Sequence, residues 1–172
     1  MEMRIRPVSG FTLIELILAL ALVAILVAVA LPSYRSLRQE QMVRAATQAI
    51  YTDVMLLKSE AVKRNQELNL RIFNKNTSNW CYRIDIDNDG SCSSCAAACS
   101  SIEGRKGADA IEFPGINLDG SHDAINIKPR RGTLTAGRII ISSGSYEMRV
   151  VTNNVGRVST CAVSNVSGVP TC

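Results

Sequence analysis

From Phe11 to Leu31 the chain reads FTLIELILALALVAILVAVAL, apolar at every position except Thr12 and Glu15. As a helix this run rises about 30 Å at about 1.5 Å per residue, the depth of a lipid hydrocarbon core. A chain that carries such a run must lodge it in a membrane or against partners. Glu15 sharpens the constraint. An acidic or basic side chain at mid-membrane costs about 2.5–3.5 kcal/mol on insertion scales, less toward the interface, and such residues generally have a partner. Two readings are open: Glu15 reaches the headgroup layer, or it meets an opposite charge. The preceding MEMRIRPVSG is short and carries Arg4 and Arg6, which keeps the N-terminus cytoplasmic. A secretory signal cut after Ala28-Val29-Ala30 is the competing reading. The length of the apolar run and the acid inside it argue against that.

Ser9-Gly10-Phe11-Thr12-Leu13-Ile14-Glu15 resembles the processing motif of type IV prepilins: glycine, a hydrophobic residue, a short polar and apolar stretch, then glutamate. The resemblance implies a basic leader over residues 1–10 and cleavage after Gly10 by a prepilin peptidase. It also implies N-methylation of Phe11 and a role for Glu15 in aligning subunits during assembly. Elementary electrostatics agrees. Cleavage would leave a cationic amine on Phe11, one helical turn from Glu15 of its own chain and within reach of Glu15 of a staggered neighbour. An acid near a helix N-terminus is favoured by the macrodipole, and two opposite charges in lipid are weakly screened.

Beyond the run, Pro32 is expected to kink the helix. Val43, Ala46, Ile50, Val54, Leu57 and Ala61 recur at three- and four-residue spacing, an amphipathic stripe. Arg35, Arg38, Gln41, Gln48, Asp53 and Glu60 are assigned to the opposite, solvated face. One helix is therefore expected over 11–64, with 11–31 as its transmembrane segment. After Asn65 the period becomes two. Leu68, Leu70 and Ile72, then Trp80, Tyr82 and Ile84, then 111–113, 125–127, 138–142, 146–151 and 156–161 read as six or seven mostly antiparallel strands. Turns are expected at 142–145 and at Asn153-Asn154. The fold class is α+β, a long N-terminal helix packed against a β-rich head over 65–172. GTLTAGRIIIS and NNVGRVSTC resemble the FimT/FimU minor pilins and the related GspH pseudopilins, whose heads are β-rich with a Gly-Arg-Val element near the end. Residues 74–123 match no motif. The resemblance implies a low-abundance subunit that primes or caps a filament together with other major and minor pilins. It implies an inner-membrane protein with a periplasmic head, later carried to a pilus tip.

Charge raises a second class of function. Residues 124–172 carry Lys128, Arg130, Arg131, Arg138, Arg149 and Arg157 against Glu147 alone, whereas 74–123 carry eight acids and four bases. A basic half fits a phosphate backbone. FimT-type subunits of naturally competent bacteria bind DNA, and a Gly-Arg-x-Arg element is implicated. This chain has Gly156-Arg157-Val158-Ser159, without the second arginine, and Tyr146 is the one aromatic in the basic half. The alternative is that these cations are solvated or pair with acids of neighbouring subunits.

All six cysteines follow the apolar run, which points to an oxidising compartment. Cys161 and Cys172 bracket a short terminal loop and form the favoured disulfide pair. Cys81, Cys92, Cys95 and Cys99 can make two more bonds in three connectivities. Cys92-Ser-Ser-Cys95 also invites a zinc or redox reading, but there is no second such pair and His122 is the only histidine. Asp85-Ile86-Asp87-Asn88-Asp89-Gly90 matches the first half of a calcium loop, yet Ala96 stands where its bidentate glutamate belongs, so a hairpin turn is preferred. Nothing in the sequence matches a catalytic motif. No enzyme activity, cofactor or metal is expected.

Overall fold

The computed structural model describes residues 11–86, 90–164 and 166–172. Among them, helix α1 spans Leu13–Arg64, followed by strands β1 Leu68–Phe73, β2 Cys81–Asp85, β3 Gly107–Asp109, β4 Asn117–Gly120, β5 Ala124–Lys128, β6 Thr133–Leu134, β7 Gly137–Ser143, β8 Tyr146–Thr152 and β9 Val158–Ala162. The chain divides into two units, one ending at Leu37 and one spanning Arg38–Cys172, described in turn.

In the first unit α1 runs unbroken through Pro32. Its apolar side chains, from Leu13 to Leu31, are exposed in the isolated chain. By length and composition this helix can cross a membrane. Its start is set locally. The Glu15 N–H donates to Thr12 Oγ1 at 3.3 Å and the Leu16 N–H to the Thr12 carbonyl at 3.2 Å. Thr12 is thus the N-cap and Glu15 stands three residues on, the spacing of a capping box.

In the second unit the stripe Val43, Ala46, Ile50, Val54, Leu57 and Ala61 is fully buried. It meets two antiparallel sheets, ordered β3-β2-β1-β5-β6 and β4-β7-β8-β9. Register explains the burial. Leu70 lies opposite Ile84 on β2 and Ile125 on β5, so a single pleat face carries all three into the core. Ile141 opposite Met148, and Ile139 opposite Val150, do the same for the second sheet. The end of the chain closes part of the β9 rim: the Ala162 N–H donates to the Pro170 carbonyl at 2.8 Å, and the Cys172 N–H to the Ala162 carbonyl at 3.0 Å.

Several expectations are corrected. Asp53 and Glu60 lie on the buried side of α1, only 3% and 6% exposed, because each has cationic or hydroxyl partners there. Residues 111–113 are a turn rather than a strand, with Ile111 89% exposed, because Asp109 Oδ1 accepts the Ile111 and Glu112 N–H groups and ends β3. Three short strands, β3, β4 and β6, were not anticipated. The hairpin turn expected over 85–90 falls in part on residues 87–89, outside the described residues; among the described residues the strand after β2 begins at Gly107.

Candidate functional site

Three groups of residues carry chemistry: the start of α1, the cysteines, and a basic corner of the head. Gly10 and the leader lie outside the described residues. Phe11 is 86% exposed and directly precedes the Thr12 cap. The cap was legible as Ser/Thr-x-x-Glu but is masked by the apolar run that surrounds it. It fixes the helix register so that Glu15 lies in the first turn, where the unpaired N–H groups favour an anion.

The structure joins Cys81 to Cys95, Cys92 to Cys99 and Cys161 to Cys172, with Cα–Cα distances of 5.8, 4.5 and 4.9 Å. No free cysteine remains. Cys92 and Cys95 are each bonded elsewhere, so they form neither a redox pair with one another nor a zinc pair. Among the described residues no acid, His and Cys cluster could hold a metal. The calcium-loop residues Asp87, Asn88 and Asp89 lie outside the described residues. Asp85 itself accepts a 2.6 Å bond from Arg71 Nε. His122 is exposed and its Nδ1 lies 3.0 Å from Ser121 Oγ.

The six cations of the C-terminal part divide into two groups. Lys128, Arg130 and Arg131 line one open cleft with Asn65, Glu67, Pro129 and Thr133. Arg157 joins them because its turn abuts theirs. At Gly156 φ is +84°, and a Cβ there would come 2.3 Å from the Gly132 carbonyl oxygen. Lys58, which sequence reasoning placed in no site, ties the two turns to α1: its Nζ donates to the Gly156 carbonyl at 2.7 Å. None of Lys58, Lys128, Arg130, Arg131 or Arg157 forms an ion pair among the described residues. Arg138 and Arg149 stand apart on β7 and β8, in line on one face of the second sheet. Arg149 is already paired with Glu147 at 2.8 Å.

A buried polar cluster holds the disulfide loop to the helix. Tyr82 Oη donates to Asp53 Oδ2 at 2.7 Å, and Arg105 Nε donates to Asp53 Oδ1 and Oδ2 at 2.8 and 3.0 Å. Burial, then the neighbouring Asp53 charge, pushes the Tyr82 phenol well above its ordinary range. The bond to Asp53 likewise raises Arg105. Asp53 had a readable signal, since it sits three residues from Ile50 and beside Val54 on the apolar stripe. A carboxylate at such a position needs a buried partner.

A long helix whose later part packs on antiparallel sheets, capped at an apolar N-terminal start, defines a pilin-type subunit. The fold is similar to two crystal structures of the type IV minor pilin FimU from Pseudomonas aeruginosa. Their TM-scores are 0.50 and 0.52 at 15% and 16% identity; each covers 74% of this chain, and 96% and 92% of FimU. It is also similar to the minor pseudopilin EpsH from the Type 2 Secretion System of Vibrio cholerae, with TM-score 0.52, 17% identity, and coverage of 69% of this chain and 95% of that one. No curated protein matches. The family model "Type II transport protein GspH" matches residues 46–156, and the chain belongs to that family. The model "Prokaryotic N-terminal methylation motif" matches residues 5–31.

Proposed function

We propose that this chain is a minor pilin, a non-enzymatic subunit cut after Gly10 and N-methylated on Phe11, which primes or caps a type IV pilus. The supporting observation is the start of α1: a Thr12-capped helix with Glu15 in its first turn and an apolar surface left bare to Leu31. Before assembly that surface anchors the chain in the inner membrane, with the head in the periplasm. During assembly it packs against the helices of other major and minor pilins. Glu15 then neutralises the Phe11 amine of an adjacent subunit, which offsets the cost of placing an acid in lipid. Prepilin peptidase is the processing partner.

Intact mass and pilus incorporation test this together. The mature chain is expected to begin at methylated Phe11. Glu15→Ala and Glu15→Gln should both lower incorporation while membrane levels stay normal. Normal incorporation of Glu15→Gln, or a mature chain starting at Leu31, overturns the reading.

Two further readings have support. The GspH family match favours a pseudopilin of a type II secretion machine. Deletion should then abolish secretion of folded exoproteins and leave pili intact. The corner of Lys58, Lys128, Arg130, Arg131 and Arg157 favours a head that grips DNA for uptake in natural transformation. Such binding should be sequence-independent and fall steeply with salt. Replacing Arg130, Arg131 and Arg157 by Ala should weaken it without affecting filament entry, and salt-insensitive affinity would sink it.

A further inference from the structure

We infer that the four cysteines of the central segment reach their native pairing through thiol–disulfide exchange, which makes this chain a client of a disulfide isomerase. In chain order the residues are Cys81, Cys92, Cys95 and Cys99, and the bonds are 81–95 and 92–99, so the two covalent loops interleave. Both members of the closely spaced Cys92-Ser93-Ser94-Cys95 are bonded to more distant partners.

Random closure favours other bonds. Residues 91–101 are bends, turns and irregular chain, with Ser and Ala between the cysteines, so no helix or strand biases the encounter. For a flexible chain the closure probability falls as the 3/2 power of loop length. The pairs separated by three and four residues, 92–95 and 95–99, then lead the native 81–95 pair, separated by 14. On that scaling about one first bond in six among these four cysteines is native. Either local bond consumes Cys95 and excludes the 81–95 link. Oxidation in chain order fails as well, because it gives 81–92 and 95–99.

The structure also says when the correction occurs. Cys81 lies within β2, between β1 and β3 in the sheet, and is fully buried, as is Cys92; Cys99 is nearly so. Once the sheet closes, an external thiolate cannot reach these three sulfurs and only the half-buried Cys95 stays accessible, so exchange at the 92–99 bond precedes completion of the fold.

The chemistry balances with no net oxidant. Take the mispaired species 92–95 plus 81–99. An isomerase thiolate attacks Cys95 Sγ, forms a mixed disulfide and releases the Cys92 thiolate. Cys92 attacks Cys99 Sγ and releases the Cys81 thiolate. Cys81 attacks Cys95 Sγ in the mixed disulfide, which forms 81–95 and regenerates the isomerase thiolate. The two bonds at the start are two bonds at the end. The terminal pair is an internal control: Cys161 and Cys172 are 11 residues apart and far in sequence from the other four, so they pair without competition.

The test is reoxidation of the reduced, unfolded full chain in detergent, with oxidised glutathione alone or with a catalytic amount of purified disulfide isomerase, followed by peptide mapping. Oxidant alone should give 161–172 in full but mostly 92–95 or 95–99 in the central segment. Isomerase should raise the native central pairing about fivefold, given the one-in-six starting fraction. A Cys81→Ala/Cys95→Ala variant leaves only 92–99 to form, and isomerase dependence should vanish there. Native pairing at equal yield and rate without isomerase overturns the inference. So does finding 92–95 in folded protein, or isomerase dependence that persists in the double variant.

Discussion

At Asp53 the helix gives up a core position to a carboxylate, and the site works only because Tyr82 and Arg105 converge on it. Removing the acid leaves the partly exposed Arg105 with only Tyr82 and Glu112 beside it. Asp53→Ala should therefore lower unfolding free energy by about 1–3 kcal/mol, the range for removing one partner of a buried hydrogen bond. Tyr82→Phe, which leaves Arg105 in place, should lose about 1 kcal/mol. Urea unfolding of the two single variants and the double variant separates these contributions, and the losses should be less than additive. Other residues set the response to pH. Bonds from Arg64 and then Lys63 hold Glu60 below the ordinary carboxylate range, and Lys75 does the same for Asp123. Asp109 loses ground to burial, but the N–H groups of Glu112 and Ile111, with Arg83, outweigh it and lower it too. Groups lowered on folding stabilise the head above their unfolded values, near pH 4, and that stability disappears as pH falls through the lowered values. Tyr82 has the opposite sign. Its raised phenol stabilises the head below about pH 10, the ordinary tyrosine value, and the benefit fades as pH rises beyond it. Thermal melts should show a plateau between these limits, with loss of stability on both sides.

Between elements, the corner built by Lys58, Gly132 and Gly156 is the most sensitive junction. Any side chain at 156 must adopt a positive φ and meet the Gly132 carbonyl. Gly156→Ala should cost at least about 1 kcal/mol, read as a lower urea midpoint. It should also disturb the Arg130–Arg131 and Arg157 turns together. Lys58→Met should loosen the same turns while sparing the backbone. The elements themselves differ in how well the sequence announced them. The 3–4 stripe of α1 and the alternation in β5, β7 and β8 read cleanly because each has one wet and one dry side. β3 and β6 are two or three residues long and were invisible. The segment 111–113 alternates like a strand, but the Asx turn made by Asp109 overrides it. Of the candidate sites, the Glu15 motif was local and legible. Lys58 was not, because its partner lies 98 residues away.

For the molecule as a whole, stability is shared between a modest core and three covalent links. Removing the terminal one with Cys161→Ser/Cys172→Ser should cost about 3 kcal/mol on loop-closure entropy, seen as a lower melting temperature. The tail should stay docked, because Val166 is buried and Arg44 reaches the Ser167 carbonyl. That tail also governs how the head behaves in a crowd. Where Pro170 and Cys172 occupy the backbone groups of Ala162, the last strand offers strangers less to zip onto. A head of pilin fold thereby presents a shorter open strand edge for unplanned pairing between folded copies.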